Sequence, residues 1–208
     1  MQDILIVGAG PAGLMSADRL SRDGFAVTVA ERMASPARKF LMAGRGGLNL
    51  THSEALDTFL ERYREAEPFL APLIRSFPPD TLRAWCEELG EKTFVGSSGR
   101  VFPQAMKASP LLRSWLRRLD GNSVRLLTRT TWTGFDEDGT ALLQRRGEAP
   151  RPFPARAMLL ALGGASWPKL GSDAAWVPLL EARGIRDLRL EAAAQRALDD
   201  APFARDEA

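Results

Sequence analysis

The sequence predicts an α/β fold with a parallel sheet, and three observations carry that prediction. Residues 4–7 form a short apolar run of branched side chains, typical of a strand that is buried on both faces. Glycines follow, and apolar side chains then recur every three or four positions over 13–23, which indicates an amphipathic helix. Residues 26–31 form a second apolar run. A strand, a glycine turn, a helix and a strand within about 30 residues have the size of a βαβ unit.

The rest of the chain is predicted to contain both helices and strands. Residues 32–53 are rich in glycine and basic side chains and show no periodicity, so we expect a loop there. Helices are expected over 57–67, which Pro68 interrupts, over 81–89 with Asp80 as the cap, and from Ser109-Pro110 to about 120. Strands are expected on both sides of the Gly/Ser turn of 90–103, over 123–130 as a third long strand, in a hairpin that turns at Asp138-Gly139, and over 157–162. Near the C-terminus, Ser172 or Asp173 is a candidate helix cap and Gly184 a candidate stop.

The composition fits one globular domain, or one and a half, with a core of its own. The 208 residues carry 28 basic and 26 acidic side chains, and a net charge of +2 gives no reason to expect a nucleic-acid partner or an acidic membrane. Cys86 is the only cysteine, which excludes an intrachain disulfide, and a histidine metal site or a Ser/His/Asp triad would depend on His52 alone. No apolar run is long enough to span a membrane, and Asp3 stands where a signal peptide would carry positive charge. We therefore expect no metal and a reducing, cytoplasmic setting.

The glycines form the pattern Gly8-x-Gly10-x-x-Gly13 between the first strand and the helix. The pattern is weak by itself, but this strand-to-helix context is the one in which it binds dinucleotides. Gly8 permits a sharp turn, Gly10 lets the backbone approach a pyrophosphate, and Gly13 lets the helix pack closely on the strand. The helix N-terminus offers unpaired N–H groups and a partial positive charge of about half a unit. We interpret the stretch as a dinucleotide cradle.

Glu31 ends the second strand, 18 residues after Gly13. A carboxylate at this place accepts hydrogen bonds from a ribose diol and repels a 2′-phosphate, which disfavours an NADP-type ligand at the site. The glycines and the acid do not separate FAD from NAD. The later segments favour FAD by analogy, because a β-meander stands where an ordinary dehydrogenase continues with βα units. This order is typical of a Rossmann-like FAD/NAD(P)-binding domain of the glutathione-reductase type, here with a helical insert at about 53–120.

Three longer blocks resemble the signature regions of a known family. They read KFLMAGRGGLNLTHSE, TFVGSSGRVFPQAMKASPLLRSWLRRL and LALGGASWPKLGSDAAWVPLLEARG. With the glycine turn they cover about residues 1–184, and they resemble the YhiN/BaiN-like NAD(P)/FAD-dependent oxidoreductases. The resemblance implies a bound FAD, NAD(P)H as a transient electron donor and a redox reaction on a small organic substrate. It points to no catalytic residue.

The same resemblance implies which residues hold the cofactor. The pyrophosphate would be lined by Gly8, Gly10, Ala12 and Gly13, with Glu31 on the adenosine ribose and Arg38 and Lys39 near the phosphates or the ribose. A loop beside the pyrophosphate and the flavin would contain Gly44, Arg45, Gly46, Gly47, Asn49 and Thr51. The backbone at Thr131 or Trp132 would touch adenine, and Gly163 and Gly164 would let the chain pass close to the cofactor.

Members of this family are longer, and they continue through a substrate domain before the chain returns to the first domain. Nothing after Gly184 resembles that part. We therefore expect a C-terminally truncated member, with an FAD-binding domain over 1–184 and a charged tail, helical or disordered, over 185–208. Two other interpretations stay open: a non-catalytic dinucleotide-binding fragment, and an NAD-dependent dehydrogenase domain.

Overall fold

The computed structural model describes residues 2–44, 46–164 and 173–185. The described strands, in chain order, are β1 Gln2–Val7, β2 Val27–Ala30, β3 Thr51–His52, β4 Thr93–Val95, β5 Arg100–Pro103, β6 Arg125–Leu127, β7 Thr130–Phe135, β8 Ala141–Arg145, β9 Arg151–Phe153 and β10 Ala155–Leu160. The described helices are α1 Pro11–Arg22, α2 Arg38–Ala43, α3 Leu56–Glu61, α4 Glu67–Ser76, α5 Pro79–Glu88, α6 Ala108–Gly121 and α7 Val177–Glu181, with a 3-10 turn at Arg64–Ala66. The described residues divide into two compact units: unit 1 takes those up to 42 and those of 115–185, and unit 2 takes those of 43–114.

The centre of unit 1 is a parallel sheet of four strands in the order β10-β1-β2-β6. Leu5, Ile6 and Val29 are fully buried, which is why the apolar run is continuous rather than alternating. On α1, Leu14 and Ala17 are also fully buried, as the three- and four-residue spacing of the sequence predicts. The predicted α/β class and the strand–glycine turn–helix–strand unit are confirmed.

The meander of unit 1 is a separate antiparallel sheet of three strands in the order β7-β8-β9. The turn around Asp138-Gly139 joins its first two strands, as predicted. Trp132 and Leu143 from this sheet belong to one buried cluster with Leu5 and Val7 of the parallel sheet and Leu180 of α7. The meander therefore packs on the same core as the parallel sheet.

Unit 2 contains an antiparallel sheet in the order β3-β5-β4 and the helices α3, α4 and α5. The two strands predicted around the Gly/Ser turn are present as β4 and β5. Cys86 is fully buried, and Leu60 and Val101 are buried in the same unit.

The loop predicted for 32–53 is wrong, because α2 and β3 lie inside it. The N–H of Ala37, just before α2, donates to the carbonyl oxygen of Ala9 at 2.8 Å, so a contact distant in sequence fixes where α2 begins. The single long strand predicted for 123–130 is also wrong. The chain turns at Arg129, whose φ is +53°, and splits the segment into β6 and β7.

Several predicted helix boundaries are corrected. Pro68 lies in the first turn of α4, where the missing N–H costs nothing, and does not interrupt a helix. The cap position of α5 is Pro78, and Asp80 lies inside its first turn. Ser109 lies inside α6, which begins one residue earlier. The residue before α7 is Trp176, so Asp173 is not its cap, and Ser172 and the tail from 186 lie outside the described residues.

In the described part of the chain, no helix has both the length and the apolar character needed to span a membrane.

Candidate functional site

The glycine turn lies at the carboxyl end of β1, where neighbouring segments of unit 1 meet. The N–H of Gly8 donates to the carbonyl oxygen of Ala30 at 2.8 Å, and the N–H of Ala161 donates to that of Val7 at 2.8 Å. The ends of β1, β2 and β10 therefore lie side by side at this edge. In open α/β sheets, ligands bind in the crevice outside the carboxyl ends of the strands.

Gly8 and Gly13 are required by the fold, because a side chain at either position would clash with the backbone. At Gly8, φ is +104° and a Cβ atom would lie 2.3 Å from the carbonyl oxygen of Ala161. At Gly13, a Cβ atom would lie 1.9 Å from the carbonyl oxygen of Gly8. The two roles assigned to them from the sequence, a sharp turn and close helix-to-strand packing, agree with this geometry.

Gly10 has different surroundings, because a Cβ atom built there would meet no protein atom within 4 Å. Its backbone is extended, with φ −76° and ψ 178°, which any residue can adopt. Gly10 is also the residue before α1, and no side chain caps that helix. The first N–H groups of a helix lack partners inside it, so Ala12 and Gly13 present donors beside this open space. An anion such as a pyrophosphate fits that position.

The carboxylate of Glu31 is aimed at the glycine turn. Its Oε2 accepts a hydrogen bond from the N–H of Ala9 at 2.9 Å, and its Oε1 accepts one from the N–H of Met33 at 2.8 Å. The backbone is fixed as well, because the N–H of Glu31 donates to the carbonyl oxygen of Leu127 at 2.8 Å. Each carboxylate oxygen can accept a second hydrogen bond. Glu31 is therefore placed to bind the hydroxyl groups of a ribose next to the turn.

Other predicted residues of unit 1 lie near this edge. Arg38 and Lys39 begin α2, directly after Ala37, whose N–H bonds to the turn. Gly163 follows β10 with φ +72°, and its carbonyl oxygen accepts a hydrogen bond from Nε1 of Trp176 at 3.1 Å; Gly164 comes next. Their contacts with a cofactor stay predictions.

A cavity of about 510 Å³ lies next to this edge in unit 1. It is lined by residues that follow β2, by the start of β7 and by the end of β8, among them Arg32, Met33, Arg129, Thr131, Arg145 and Arg146. Thr131, predicted to touch adenine through its backbone, is at this wall, whereas the side chain of Trp132 is buried in the core.

Asp173 bonds to one of these arginines. Nη2 of Arg32 donates to Oδ2 of Asp173 at 2.9 Å, and this hydrogen bond holds the pKa of the Asp173 carboxyl below its ordinary value.

The remaining predicted residues belong to unit 2. Gly44 follows α2 and approaches α6 so closely that a Cβ atom would lie 2.5 Å from that of Ala108, which explains this glycine by packing alone. The others are arranged along the segment into β3, with Gly46 and Asn49 exposed and Gly47 and Thr51 half-buried. Arg45 lies outside the described residues. The roles predicted for this group next to the flavin stay predictions.

His52 holds the Gly/Ser turn of unit 2. Its Nε2 lies 3.0 Å from the carbonyl oxygen of Ser98, and its Nδ1 accepts the N–H of Glu54 at 3.2 Å. Arg62 donates two hydrogen bonds to the Glu54 carboxylate, at 2.5 and 2.6 Å, and holds the pKa of Glu54 below its ordinary value. These bonds give His52 a structural role in unit 2.

Sequence reasoning missed the residues that set the geometry around the site. Ala9 and Met33 orient the carboxylate of Glu31 through backbone N–H groups, and Ala161 fixes the path beside Gly8. Backbone donors leave no side-chain signal, so the sequence offers no means of finding them. The sequence also does not reveal the cluster of arginines at the cavity, because they come from three separate segments of the chain.

The comparison with protein families decides the assignment. The model for the HI0933-like protein Rossmann domain matches residues 2–190, nearly the whole chain. The chain belongs to this family. The family is that of the YhiN/BaiN-like flavoproteins, FAD-dependent oxidoreductases. The predicted family and the Rossmann-like fold are thus confirmed.

Solved structures similar to this HI0933-like chain share its fold at low sequence identity. THI4 from Thermovibrio ammonificans is 16% identical with a TM-score of 0.57, and the match covers 89% of this chain and 64% of that one. A flavocytochrome c3 fumarate reductase in the open conformation is 18% identical with a TM-score of 0.60, over 78% and 34%. A 3-ketosteroid-delta4-(5alpha)-dehydrogenase from Rhodococcus jostii RHA1 is 14% identical with a TM-score of 0.56, over 78% and 46%. The chain thus spans less than two thirds of each.

Proposed function

We propose that this chain binds FAD in the glycine turn and serves as an oxidoreductase, or as the FAD-binding part of one, that passes reducing equivalents between NAD(P)H and a small organic substrate. The observation that carries the proposal is the pairing of an open position at Gly10 with a carboxylate bonded to the same turn. Membership of a flavoprotein family selects FAD over NAD as the dinucleotide.

The glycine turn and Glu31 fit the adenosine half of FAD. The N–H groups at the start of α1 would hold the pyrophosphate, and the position of Gly10 leaves room for it. Glu31 would bind the adenosine ribose through lone pairs that Ala9 and Met33 do not use. FAD, when bound, supplies hydride transfer. The chain's own contribution is to bind the adenosine half and fix its orientation.

The proposed electron donor, NAD(P)H, and the proposed acceptor, a small organic molecule, come from the family resemblance. Within the described residues, no cluster of three or more acidic, histidine or cysteine side chains could hold a metal ion. The expected reducing, cytoplasmic setting stays a prediction.

An absorbance spectrum of the purified chain tests the proposal. We expect yellow protein, or protein that FAD turns yellow on reconstitution, with an extractable cofactor. Gly10→Val should abolish the colour, because the added side chain occupies the position meant for the pyrophosphate. Gly121→Val is the matched control, since a Cβ atom there also meets no atom within 4 Å but Gly121 ends α6, away from the turn. Colourless protein that FAD cannot reconstitute would overturn the proposal.

A non-catalytic dinucleotide-binding fragment is the second candidate, because the open position at Gly10 and the carboxylate of Glu31 account for binding alone. Electron transfer from NAD(P)H to a dye separates the two candidates: turnover excludes the fragment, whereas tight FAD binding without turnover supports it.

A further inference from the structure

The cavity beside Glu31 carries an excess of positive charge. Of its nine lining residues, four are arginines: Arg32, Arg129, Arg145 and Arg146. No aspartate or glutamate is among these lining residues. In the described part of the chain, Arg32 has Asp173 as a partner, whereas no carboxylate pairs with the other three guanidinium groups. Like charges gathered at one cavity repel each other, so the cluster does not stabilise the fold by itself.

The backbone at Arg129 adds an independent observation. Its φ of +53° is uncommon for a residue with a side chain and costs of the order of 1 kcal/mol. The turn is held by a hydrogen bond of 3.0 Å from the N–H of Arg129 to the carbonyl oxygen of Met33, and both residues line the cavity. This turn therefore fixes the backbone of Arg129 beside Met33 at the cavity wall.

The position of the cavity relative to the glycine turn indicates which class of ligand it binds. Met33 lines the cavity, and its N–H holds Oε1 of Glu31 at 2.8 Å. The cavity therefore adjoins the place where a ribose would bind. A planar guanidinium group can donate two parallel, charge-assisted hydrogen bonds to two oxygens of one phosphate.

We propose that this arginine-lined cavity binds a phosphate group, either free phosphate or a phosphate carried on the ribose of an adenine nucleotide. The first source is independent of the proposed function, and a nucleotide of the second kind would compete with FAD for the glycine turn. The inference goes against the expectation from Glu31 alone, which disfavours a ribose phosphate. Four arginines beside two carboxylates, Glu31 and Asp173, leave an excess of positive local charge.

Two titrations of the full chain test the proposal and separate the sources. Inorganic phosphate is titrated at constant ionic strength, with chloride as the reference anion, because screening weakens exposed charges. Adenosine 5′-monophosphate is then compared with adenosine 2′,5′-bisphosphate and 3′,5′-bisphosphate, which differ from it by one ribose phosphate. If the ligand is free phosphate, we expect saturable binding of inorganic phosphate. If the ligand is a ribose phosphate, we expect one bisphosphate to bind about tenfold or more tightly than the monophosphate.

The double variant Arg129→Gln/Arg146→Gln should remove either effect. Arg151→Gln is the matched control, because Arg151 is an exposed arginine of the same antiparallel sheet that does not line the cavity. No saturable phosphate binding together with equal affinity for all three nucleotides would overturn the proposal, as would a double variant that behaves like the control. If phosphate binds through these arginines while FAD and the monophosphate do not bind, the proposed function fails and this inference stands.

Discussion

The glycines of one turn have different surroundings, so the same substitution should affect them differently. Gly13→Ala places a Cβ atom at 1.9 Å from a backbone oxygen and should lower the free energy of unfolding by roughly 3 kcal/mol. Gly10→Ala meets no neighbour within 4 Å and should change it by less than about 0.5 kcal/mol. Urea unfolding of the two variants measures both. Equal losses would contradict the geometry of the turn.

Cys86 makes stability depend on pH in the alkaline range. Burial, helped by Glu91 and Glu87, raises the pKa of its thiol from an ordinary 9.0 to about 12. Below pH 9 both states keep the proton. Above it the unfolded chain loses the proton first, so this contribution to the free energy of unfolding falls by about 1.4 kcal/mol per pH unit until the folded thiol also ionises.

The comparison with Cys86→Ala isolates this effect. The difference in unfolding free energy between the two proteins should be constant from pH 7 to 8.5 and should shrink as pH rises from 9 to 10.5. Urea unfolding at each pH gives the difference. A difference that does not change with pH would show that the thiol is not protected.

At the scale of elements, one ion pair joins α1 to the C-terminal half of α6 within unit 1. Nη2 of Arg118 lies 2.5 Å from Oδ2 of Asp18, and Asp18 is only 2% exposed. Arg118→Met leaves a buried carboxylate without this partner and should cost about 3 to 5 kcal/mol. The double variant Asp18→Leu/Arg118→Met removes both charges and should recover most of that loss.

Thermal or urea unfolding of the single and double variants completes the cycle for this pair. Equal losses in the single and the double variant would mean that the pair contributes by shape rather than by charge.

The elements that the sequence predicts correctly carry their signal in consecutive residues. The first and second strands are continuous apolar runs, α1 has apolar side chains every three or four positions, and Glu31 directly follows the second strand. The six residues of α2 bury none of their side chains, so no periodicity reveals them. The break at Arg129 depends on its bond to Met33, nearly a hundred residues earlier. Contacts between distant segments are what a local pattern cannot supply.

At the scale of the whole molecule, the cofactor should act as a stabiliser. A ligand that binds only the folded state, at about 100 times its Kd, adds about 2.7 kcal/mol. For a chain of this size that corresponds to a rise in Tm of roughly 5 to 10 °C. Thermal unfolding with added FAD measures it. FMN, which lacks the adenosine half, should give a much smaller shift, and an equal shift would place binding outside the glycine turn.

The pairing of β1 with β10 has a consequence for biosynthesis. Ile4 of β1 lies opposite Ala157 of β10, so one edge of β1 has no neighbour during synthesis until β10 emerges from the ribosome. During that interval the nascent polypeptide exposes an apolar template on which a second molecule can assemble. Such a pairing between distant segments raises the contact order, and a high contact order slows folding.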